Sequence, residues 1–323
     1  VCSSDLEIRE VSTLAQAIGS NIGKVIFGKD AEIKLIINAL FSGGHVLLDD
    51  IPGTGKTSLA RALARSVSGE VKRIQFTPDL LPSDVTGINY YNQKTGDFVF
   101  RRGPVFTNVL IADEINRTTP RTQSALLECM GEFQTTVDGV TYPMERPFFV
   151  IATQNPIESV GTFPLPEAQC DRFFMKLSLG YPSPDSEREM MNIHGSGVSP
   201  LAGLSPVAST ADVNAAAEAV TKVRVEAPVR DYILRIVSAT RESDRIRLGV
   251  SPRGTLALLS AARTAAAIDG RDFVIPDDVK AVAVPVLAHR VIPHSQGTVR
   301  LTDTNEKLIE FVLDSVPAPL GND

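Results

Sequence analysis

The sequence has no tryptophan, only three cysteines and four histidines, which excludes several kinds of structural and catalytic site. Cys2, Cys129 and Cys170 are too few and too far apart for a disulfide framework or a zinc ribbon. No two histidines are separated by one or three residues, which argues against a zinc enzyme. We therefore expect a protein of the reducing cytoplasm.

Long apolar runs are also missing from this chain. The longest, such as residues 109–112 and 148–152, have the length of a strand. A membrane-spanning helix needs about 20 apolar residues, so no membrane span is predicted. No charged segment followed by an apolar one opens the chain, so no secretory signal is predicted either.

Positive charge is in short supply, since 32 Lys and Arg stand against 38 Asp and Glu, for a formal charge of −6 and a pI near 5.4. Nucleic acid is therefore not an expected partner, although a local basic patch is compatible with this balance. Hydrophobic residues make up 43% and charged residues 22% of the chain, as in ordinary globular proteins. The length of 323 residues predicts about two domains.

The first half of the chain alternates short apolar runs with helical patterns. The runs are rich in β-branched or aromatic residues and occupy residues 45–48, 71–76, 108–112, 148–153 and 174–179. Helical periodicity is clearest at residues 30–41, 57–67 and 119–130. Near-continuous apolar strands alternating with helices predict an α/β fold with a parallel five-stranded sheet that is covered on both faces.

Two hairpins are predicted to interrupt this alternation. Residues 135–142 place Asp138-Gly139 between β-forming residues, which is a strong signal for a tight turn. Residues 88–100 contain two aromatic segments around a polar loop and predict a second, looser hairpin.

The composition changes after Leu179. Residues 180–184 form a Pro-rich linker, and residues 195–209 form a loop of Gly, Ser and Pro. Ala-rich helical patterns follow at residues 212–223, 229–242, 252–268, 276–287 and 304–313. We therefore predict an α/β domain at residues 1–180 and a small all-α domain at residues 185–323.

The strongest chemical motif is a Gly-rich loop between a strand and a helix. The sequence PGTGKT at residues 52–57 is typical of a phosphate-binding loop, in which backbone N–H groups at a helix N-terminus hold phosphate oxygens. Asp50 replaces the first glycine of the full pattern. Lys56 is expected to neutralise the β- and γ-phosphates of ATP, and Thr57 to bind Mg²⁺. The predicted nucleotide-binding residues here are Pro52, Gly53, Thr54, Gly55, Lys56, Thr57 and Ser58.

Two acids follow the apolar run at residues 109–112. Because the carboxyl ends of parallel strands meet at one edge of a sheet, Asp113 and Glu114 are expected beside the phosphate loop. Asp113 would hold Mg²⁺ through water, and Glu114 would polarise the attacking water. Two adjacent acids are weak evidence alone, but the phosphate loop 57 residues upstream of Asp113 makes the pair informative.

Three further polar residues have both a functional and a structural interpretation. Asn155 follows the next strand and would contact the γ-phosphate and the attacking water, or else form a turn. Arg172 directly precedes a strand, and its structural interpretation is an ion pair with Asp171. Arg253 lies at the start of a predicted helix of the second half, where a solvated arginine is the alternative.

Together, several segments resemble the MoxR family of AAA+ ATPases. These segments are QFTPDLLPSD (75–84), ADEINR (112–117), TQSALLE (122–128), ATQNP (152–156), FPLPEAQ (163–169), DRF (171–173) and SPRG (251–254). The resemblance is dense between residues 25 and 179 and continues to residue 254. It implies a P-loop AAA+ core with a small all-α lid domain.

The resemblance also implies roles for individual residues. Asp113 and Glu114 correspond to the Walker B pair, and Asn155 to sensor 1. Arg253 corresponds to sensor 2, which contacts nucleotide from the lid of its own subunit. Arg172 corresponds to an arginine finger that reaches the γ-phosphate bound by the neighbouring subunit.

Further implications of the resemblance concern adenine and the assembly. Residues 25–28, including Ile26 and Gly28, correspond to the region around adenine. The two predicted hairpins correspond to the helix-2 insert and the pre-sensor-1 hairpin, and both would face the pore of a ring. The family implies a hexamer that uses ATP and Mg²⁺ to remodel or assemble a protein client, with a von Willebrand factor A-domain protein as a partner.

Other functions are compatible with the same motifs. The ATPase subunit of a metal chelatase has similar core motifs but would need a chelatase partner and a porphyrin. A DNA helicase or clamp loader is disfavoured by the acidic pI and by the lack of an aromatic and basic stripe. A nucleotide-gated binding module that switches partners with little turnover is a third possibility, against which Glu114 and Arg172 argue.

Overall fold

The computed structural model describes residues 7–49, 53–154, 161–194, 200–294 and 304–319. The first half alternates helices and strands. Its helices are α1 (Ile8–Gly23), α2 (Asp30–Phe41), α3 (Lys56–Ser66), α4 (Pro82–Thr86), α5 (Pro120–Glu132) and α6 (Glu167–Cys170). Its strands are β1 (Val46–Asp49), β2 (Val71–Gln75), β3 (Gly87–Asn92), β4 (Asp97–Arg102), β5 (Val109–Asp113), β6 (Gln134–Val137), β7 (Val140–Pro143), β8 (Phe149–Gln154) and β9 (Met175–Leu177).

Five of these strands form the predicted parallel sheet, which is confirmed. Their order is β2-β5-β8-β1-β9, so β1 lies between β8 and β9. At one edge Val71 is opposite Val109, and near the other edge Val46 is opposite Met175. Because all pairings are parallel, the carboxyl ends of the strands lie along one edge of the sheet and the amino ends along the other.

The central strands are apolar because both faces of the sheet are covered. Alternate residues of a strand point to opposite faces. Ile111 and Ile151 accordingly belong to the apolar cluster that contains residues of α3. Leu110 and Val150 belong to a second cluster, which contains residues of α5. This double burial explains the near-continuous hydrophobic runs in the sequence.

Two antiparallel hairpins leave this layered arrangement. β3 pairs with β4 and β6 pairs with β7. The turn between β6 and β7 has positive φ at both Asp138 (51°) and Gly139 (79°), as a two-residue hairpin turn requires. The hairpins contact each other, since Asn89 Nδ2 donates a hydrogen bond to Asp138 Oδ2 at 2.8 Å.

The second half of the described chain is mainly helical. Its helices are α7 (Pro184–His194), α8 (Thr210–Thr221), α9 (Ala227–Glu242), α10 (Pro252–Ile268), α11 (Pro276–Leu287) and α12 (Asn305–Ser315). One helix, α7, was not predicted from the sequence. A short antiparallel pair, β10 (Ile246–Leu248) and β11 (Ile292–Pro293), is a second addition. Within the described residues, no helix is both long enough and apolar enough to cross a membrane.

The helices α1 and α2 pack against α8 and α10 of the second half, and their buried side chains share one apolar cluster. Polar contacts accompany this packing. Asn38 Nδ2 donates to the Ala261 carbonyl at 2.9 Å, and Ser12 Oγ donates to the Ile268 carbonyl at 2.7 Å. The N-terminal helices therefore join the sheet domain and the helical half into one packed body.

We expect Asn38→Ala to lower the free energy of unfolding by about 1–2 kcal/mol, because it removes a buried hydrogen bond to α10. Urea denaturation measures the change. Asn192→Ala is the matched control, since Asn192 is an exposed asparagine within α7. Equal unfolding free energies for the two variants would contradict the role given to Asn38.

Candidate functional site

The loop between β1 and α3 ends in two glycines with left-handed backbone conformations. Gly53 has φ 88°, and Gly55, which directly precedes α3, has φ 87°. Such conformations arrange successive N–H groups into a concavity that binds anions, here at the positive end of the α3 dipole. The half-buried side chains of Lys56, Thr57 and Ser58 follow in the first turn of α3. These donors fit nucleotide phosphates.

A cavity of about 170 Å³ opens beside this loop. Its walls come from the α1–α2 connection, the glycine loop, the linker after β9, and α7 with the turn that follows it. The lining residues are Val25, Ile26, Phe27, Lys29, Gly53, Thr54, Gly55, Ser58, Gly180, Pro182, Met190, Pro200 and Leu201. Apolar walls next to a phosphate-binding loop fit a flat heteroaromatic base whose phosphates extend to α3.

The side of this cavity built by α7 was missed by the sequence reasoning. Met190 lies on α7, and Leu201 lies in the short 3-10 helix Pro200–Gly203. A signal for α7 was present, because Pro184 is the first residue of the helix and Asp185 is an acid in its first turn.

The predicted residue Gly28 does not line the cavity itself, but it lies against α7, which forms one of the cavity walls. It has φ +65°, and a Cβ at this position would lie 2.2 Å from Ser186 Oγ of α7. Only glycine therefore permits this approach of the α1–α2 connection to α7. Nearby, Lys29 Nζ donates to the Tyr181 carbonyl at 3.1 Å, which ties the same connection to the linker.

Asp113 ends the buried strand β5 and is itself only 6% exposed. Thr153 Oγ1, at the end of β8, donates to its Oδ1 at 3.2 Å. Arg73 Nε, on β2, donates to its Oδ2 at 2.6 Å. Its carboxylate and the hydroxyl of Thr57 have the oxygen chemistry that Mg²⁺ prefers, and the assignment of Asp113 as a residue that holds Mg²⁺ through water stays a prediction.

Glu114 adopts a left-handed conformation with φ 58°, which is uncommon for this residue type. Its backbone N–H donates to Thr153 Oγ1 at 3.0 Å. Its side-chain Oε2 accepts a hydrogen bond from Gln75 Nε2 at 2.8 Å and forms an ion pair with Arg117 Nε at 3.0 Å. The carboxylate is therefore held by two neighbouring donors in this conformation.

The sequence reasoning missed these donors. Gln75 is opposite Asp113 in the β2–β5 pairing, and Arg117 follows Glu114 by three residues. Strand order decides that β2 is the neighbour of β5, and no local pattern reveals that order.

Two predicted residues, Pro52 and Asn155, lie outside the described residues. The end of β8, which Asn155 follows, lies between the ends of β5 and β1. The assignment of Asn155 as a contact of the γ-phosphate and of water stays a prediction.

Arg172 lies at the opposite edge of the sheet from the glycine loop. The loop follows the carboxyl end of β1, whereas Arg172 lies three residues before the amino end of the neighbouring strand β9. Its Nη1 donates to the Leu127 carbonyl at 2.8 Å. Asp171 pairs with Arg290 at 2.8 Å, so the ion pair between Asp171 and Arg172 considered from the sequence is not the arrangement found.

Arg253 lies close to the same edge of the sheet. It is an exposed residue in the first turn of α10, and Ser251, directly before that helix, donates a hydrogen bond to Asp171 Oδ2 at 3.0 Å. Arg253 is not one of the described residues that line the cavity. The geometry therefore groups Arg253 with Arg172, and its contact with nucleotide stays a prediction.

Comparison with known proteins gives long matches. The chain is 46% identical over 300 residues to the uncharacterized protein YeaC of Bacillus subtilis, with 93% of each chain covered. It is 44% identical over 324 residues to Chaperone MoxR1 of Mycobacterium tuberculosis, covering 97% of this chain and 84% of that protein. Protein MoxR of Methylorubrum extorquens is 32% identical over 322 residues, with 92% and 93% covered.

Family and structure comparisons agree with these matches. Residues 45–175 match the ATPase family associated with various cellular activities (AAA), and residues 238–310 match the AAA lid domain. A crystal structure from Cytophaga hutchinsonii, described as that of an ATPase candidate, superposes with a TM-score of 0.88. The two chains are 38% identical, and 96% of each is covered.

The cavity predicts that Gly28→Ala weakens nucleotide binding. The added Cβ would collide with Ser186 Oγ and displace α7, which carries Met190 into the cavity wall. We expect the dissociation constant for an adenine nucleotide to rise about tenfold, which corresponds to about 1.4 kcal/mol. Isothermal titration with purified protein measures it.

Gly43→Ala is the matched control for this substitution. Gly43 has φ +66°, nearly the same as Gly28, but open space surrounds the position of its Cβ. Both variants carry the backbone strain of a left-handed alanine, so only the contact with α7 differs. Equal nucleotide affinities for the two variants would contradict the role of Gly28.

Proposed function

This chain belongs to the MoxR family of AAA+ ATPases, and we propose that it hydrolyses ATP at the subunit interfaces of a ring to remodel or assemble a protein client. The single observation that carries the proposal is the arrangement at the carboxyl edge of the sheet. There the glycine loop follows β1, the acids Asp113 and Glu114 lie at the end of β5, and only β8 separates these two strands.

Different residues at this edge bind different parts of the ATP molecule. Lys56 neutralises charge on the β- and γ-phosphates, while the backbone N–H groups at the start of α3 hold phosphate oxygens. The apolar cavity walls, which include Ile26 and Met190, enclose the adenine. Thr57 and Asp113 would hold Mg²⁺, which when bound screens the phosphate charges that repel a nucleophile.

Hydrolysis requires a carboxylate that accepts a proton from water. Glu114 is the candidate, but its Oε2 already accepts a hydrogen bond from Gln75 and forms an ion pair with Arg117. Release of at least one donor frees this oxygen to orient water and to accept its proton. Asn155 is the proposed second contact of that water.

The position of Arg172 supports action between subunits. Parallel strands rise about 3.3 Å per residue, so the two edges of the sheet lie at least about 10 Å apart. A guanidinium at the amino edge serves a nucleotide at the carboxyl edge of the next subunit more readily than its own. Arg253 also lies near the amino edge, so we propose that it contacts the nucleotide of the neighbouring subunit rather than that of its own subunit. A ring, a hexamer by family resemblance, provides such head-to-tail contacts.

The two hairpins are the proposed surface for the client. β3 and β4 expose Ile88, Tyr91 and Phe98, the last with 74% of its surface accessible. The rings of Tyr91 and Phe98 contact each other with centroids 5.5 Å apart. Exposed aromatic side chains of this kind favour a protein client. A von Willebrand factor A-domain protein as partner belongs to the same proposal, on family resemblance.

A location in the cytoplasm is also part of the proposal. Cys129 and Cys170 are both free thiols, as expected in a reducing compartment. Burial raises the pKa of the Cys129 thiol to about 11, so it is unreactive at neutral pH.

A nucleotide-gated switch with little turnover is the second candidate. The observation that favours it is that Gln75 and Arg117 both engage Glu114 Oε2, so one carboxylate oxygen of the proposed base is already occupied.

Glu114→Gln tests the hydrolysis proposal. An amide cannot accept the proton, so we expect the rate of phosphate release to fall by about two orders of magnitude or more, with ATP affinity retained. The measurement combines a phosphate-release assay on the assembled protein with nucleotide titration. Glu132→Gln, at the exposed end of α5, is the control. Full hydrolysis by Glu114→Gln would overturn this assignment.

Gln75→Leu distinguishes the ATPase from the switch. It removes one of the two donors on Glu114, so we expect phosphate release without client to rise by about two- to tenfold, since tenfold in rate corresponds to about 1.4 kcal/mol. Gln134→Leu provides an exposed strand glutamine as control. No detectable turnover in either the native protein or Gln75→Leu would favour the switch.

A further inference from the structure

The segment around Arg172 lies between the sheet and the helical half. On the sheet side, Phe173 is fully buried in the core, and the Phe174 N–H donates to the His45 carbonyl at 2.8 Å, just before β1. Arg172 itself is half-buried, with its Nη1 on the Leu127 carbonyl. One side of this segment is thus fixed by the sheet and α5.

On the other side, Arg290 holds the same segment from the end of α11. Its Nε donates to Asp171 Oδ1 at 2.8 Å, and its Nη2 donates to the carbonyls of Asp171 at 3.3 Å and Phe173 at 2.7 Å. Its Nη1 donates to the Phe174 carbonyl at 3.1 Å and also to that of Val286. The Asp171 carbonyl belongs to the peptide bond that leads into Arg172. Arg290 therefore fixes the backbone on both sides of Arg172.

Two more residues of the helical half complete this contact. His289 Nε2 donates to the Phe173 carbonyl at 3.0 Å. Burial holds the pKa of His289 well below its usual value, so the ring is neutral. Ser251 Oγ donates to Asp171 Oδ2 at 3.0 Å and accepts the Gly254 N–H at 3.3 Å, so it joins Asp171 to the first turn of α10.

This arrangement explains why serine and glycine occupy the first and last positions of the SPRG motif at residues 251–254. A Cβ on Gly254 would lie 2.8 Å from Arg290 Cδ and 2.5 Å from Val250 Cγ1. The absence of a side chain at residue 254 therefore lets Arg290 pass beside α10. Ser251 and Gly254 serve the contact with Asp171, while Arg253 projects from the same turn.

This arrangement is costly to form. The Arg290 side chain is only 2% exposed, and burial lowers its pKa from the usual value, while the Asp171 carboxylate opposes that shift. Burying an ion pair often gains little or no net stability over apolar packing, but it fixes geometry because every donor has a defined acceptor. Such a site, next to Arg172, points to a positioning role.

We propose that Arg290 and Ser251 are positioning residues for Arg172, and that they act by fixing Asp171 and the flanking backbone. This inference rests on the proposed function of Arg172 at the neighbouring subunit's nucleotide. It predicts that loss of the Arg290 contacts impairs the nucleotide site of the next subunit and leaves the subunit's own site intact.

Arg290→Lys is the principal variant, because it keeps the positive charge and loses the planar fork of donors. We expect kcat to fall about tenfold or more, which is at least about 1.4 kcal/mol of activation free energy, with KM for ATP nearly unchanged. Arg271→Lys is the matched control. Arg271 forms a comparable pair with Asp278, at 2.6 Å to each carboxylate oxygen, and neither side chain has a described hydrogen bond or ion pair with residues 171–174.

Mixing Arg290→Lys subunits with Glu114→Gln subunits distinguishes a positioning role of Arg290 from general damage to the subunit. A Glu114→Gln subunit cannot hydrolyse its own ATP but supplies an intact Arg172 to its neighbour. In randomly mixed rings of equal amounts, about one interface in four pairs an intact site with an intact Arg172. Phosphate release by the mixture should therefore clearly exceed the sum of the two separate preparations.

The outcomes are distinguishable when Arg172→Ala is mixed with Glu114→Gln in parallel. Recovery with Arg172→Ala but not with Arg290→Lys would overturn the positioning role and leave the proposed function standing. No recovery with Arg172→Ala would overturn both, because the finger would not act between subunits. If Arg290→Lys fails to fold or assemble, Ser251→Ala decides by the same mixing test, with an expected two- to fivefold loss of kcat.

Discussion

The proposed chemistry depends on one constraint, namely that five hydrogen-bonded strands run in the same direction. The carboxyl edge of the sheet carries the loop before α3 and the acids at the end of β5, while Arg172 lies at the amino edge. This separation cannot adjust, because β1 and β9 are direct neighbours in a defined register. Under the proposed function, each subunit therefore holds two complementary parts of a hydrolysis site at opposite edges of its sheet, and head-to-tail contact is the geometry that would unite them.

The helical half contributes residues to both edges of this parallel sheet. It contributes Met190 and Leu201 to the cavity at one edge, and Arg290 and Ser251 to the Arg172 segment at the other. Its packing on α1 and α2, with buried contacts such as that of Asn38, makes it continuous with the sheet domain. The helical half therefore contacts both edges of the sheet through one set of packed helices.

Local chemistry was predictable from the sequence, whereas long-range pairing was not. The glycine loop and the acids were found because each motif lies within a few residues and follows an apolar strand. The partner of Asp171 was not found, because Arg290 lies 119 residues away and a neighbouring arginine, Arg172, offered a simpler pair. The restraint on Glu114 was missed for the same reason, since Gln75 becomes its neighbour only through strand order.

The contacts that hold Glu114 and the contacts that hold the Arg172 segment act on two different groups of the proposed reaction. At the carboxyl edge, Gln75 and Arg117 engage Glu114 Oε2, so under the proposed function a donor must leave before this oxygen can accept a proton from water. At the amino edge, Arg290 and Asp171 hold the Arg172 backbone ready, so little further ordering is needed when a neighbour docks. The base must be released while the arginine is already in place. Under the proposed function, docking of a neighbouring subunit brings an arginine that is already positioned, and release of Glu114 is the step that remains before hydrolysis.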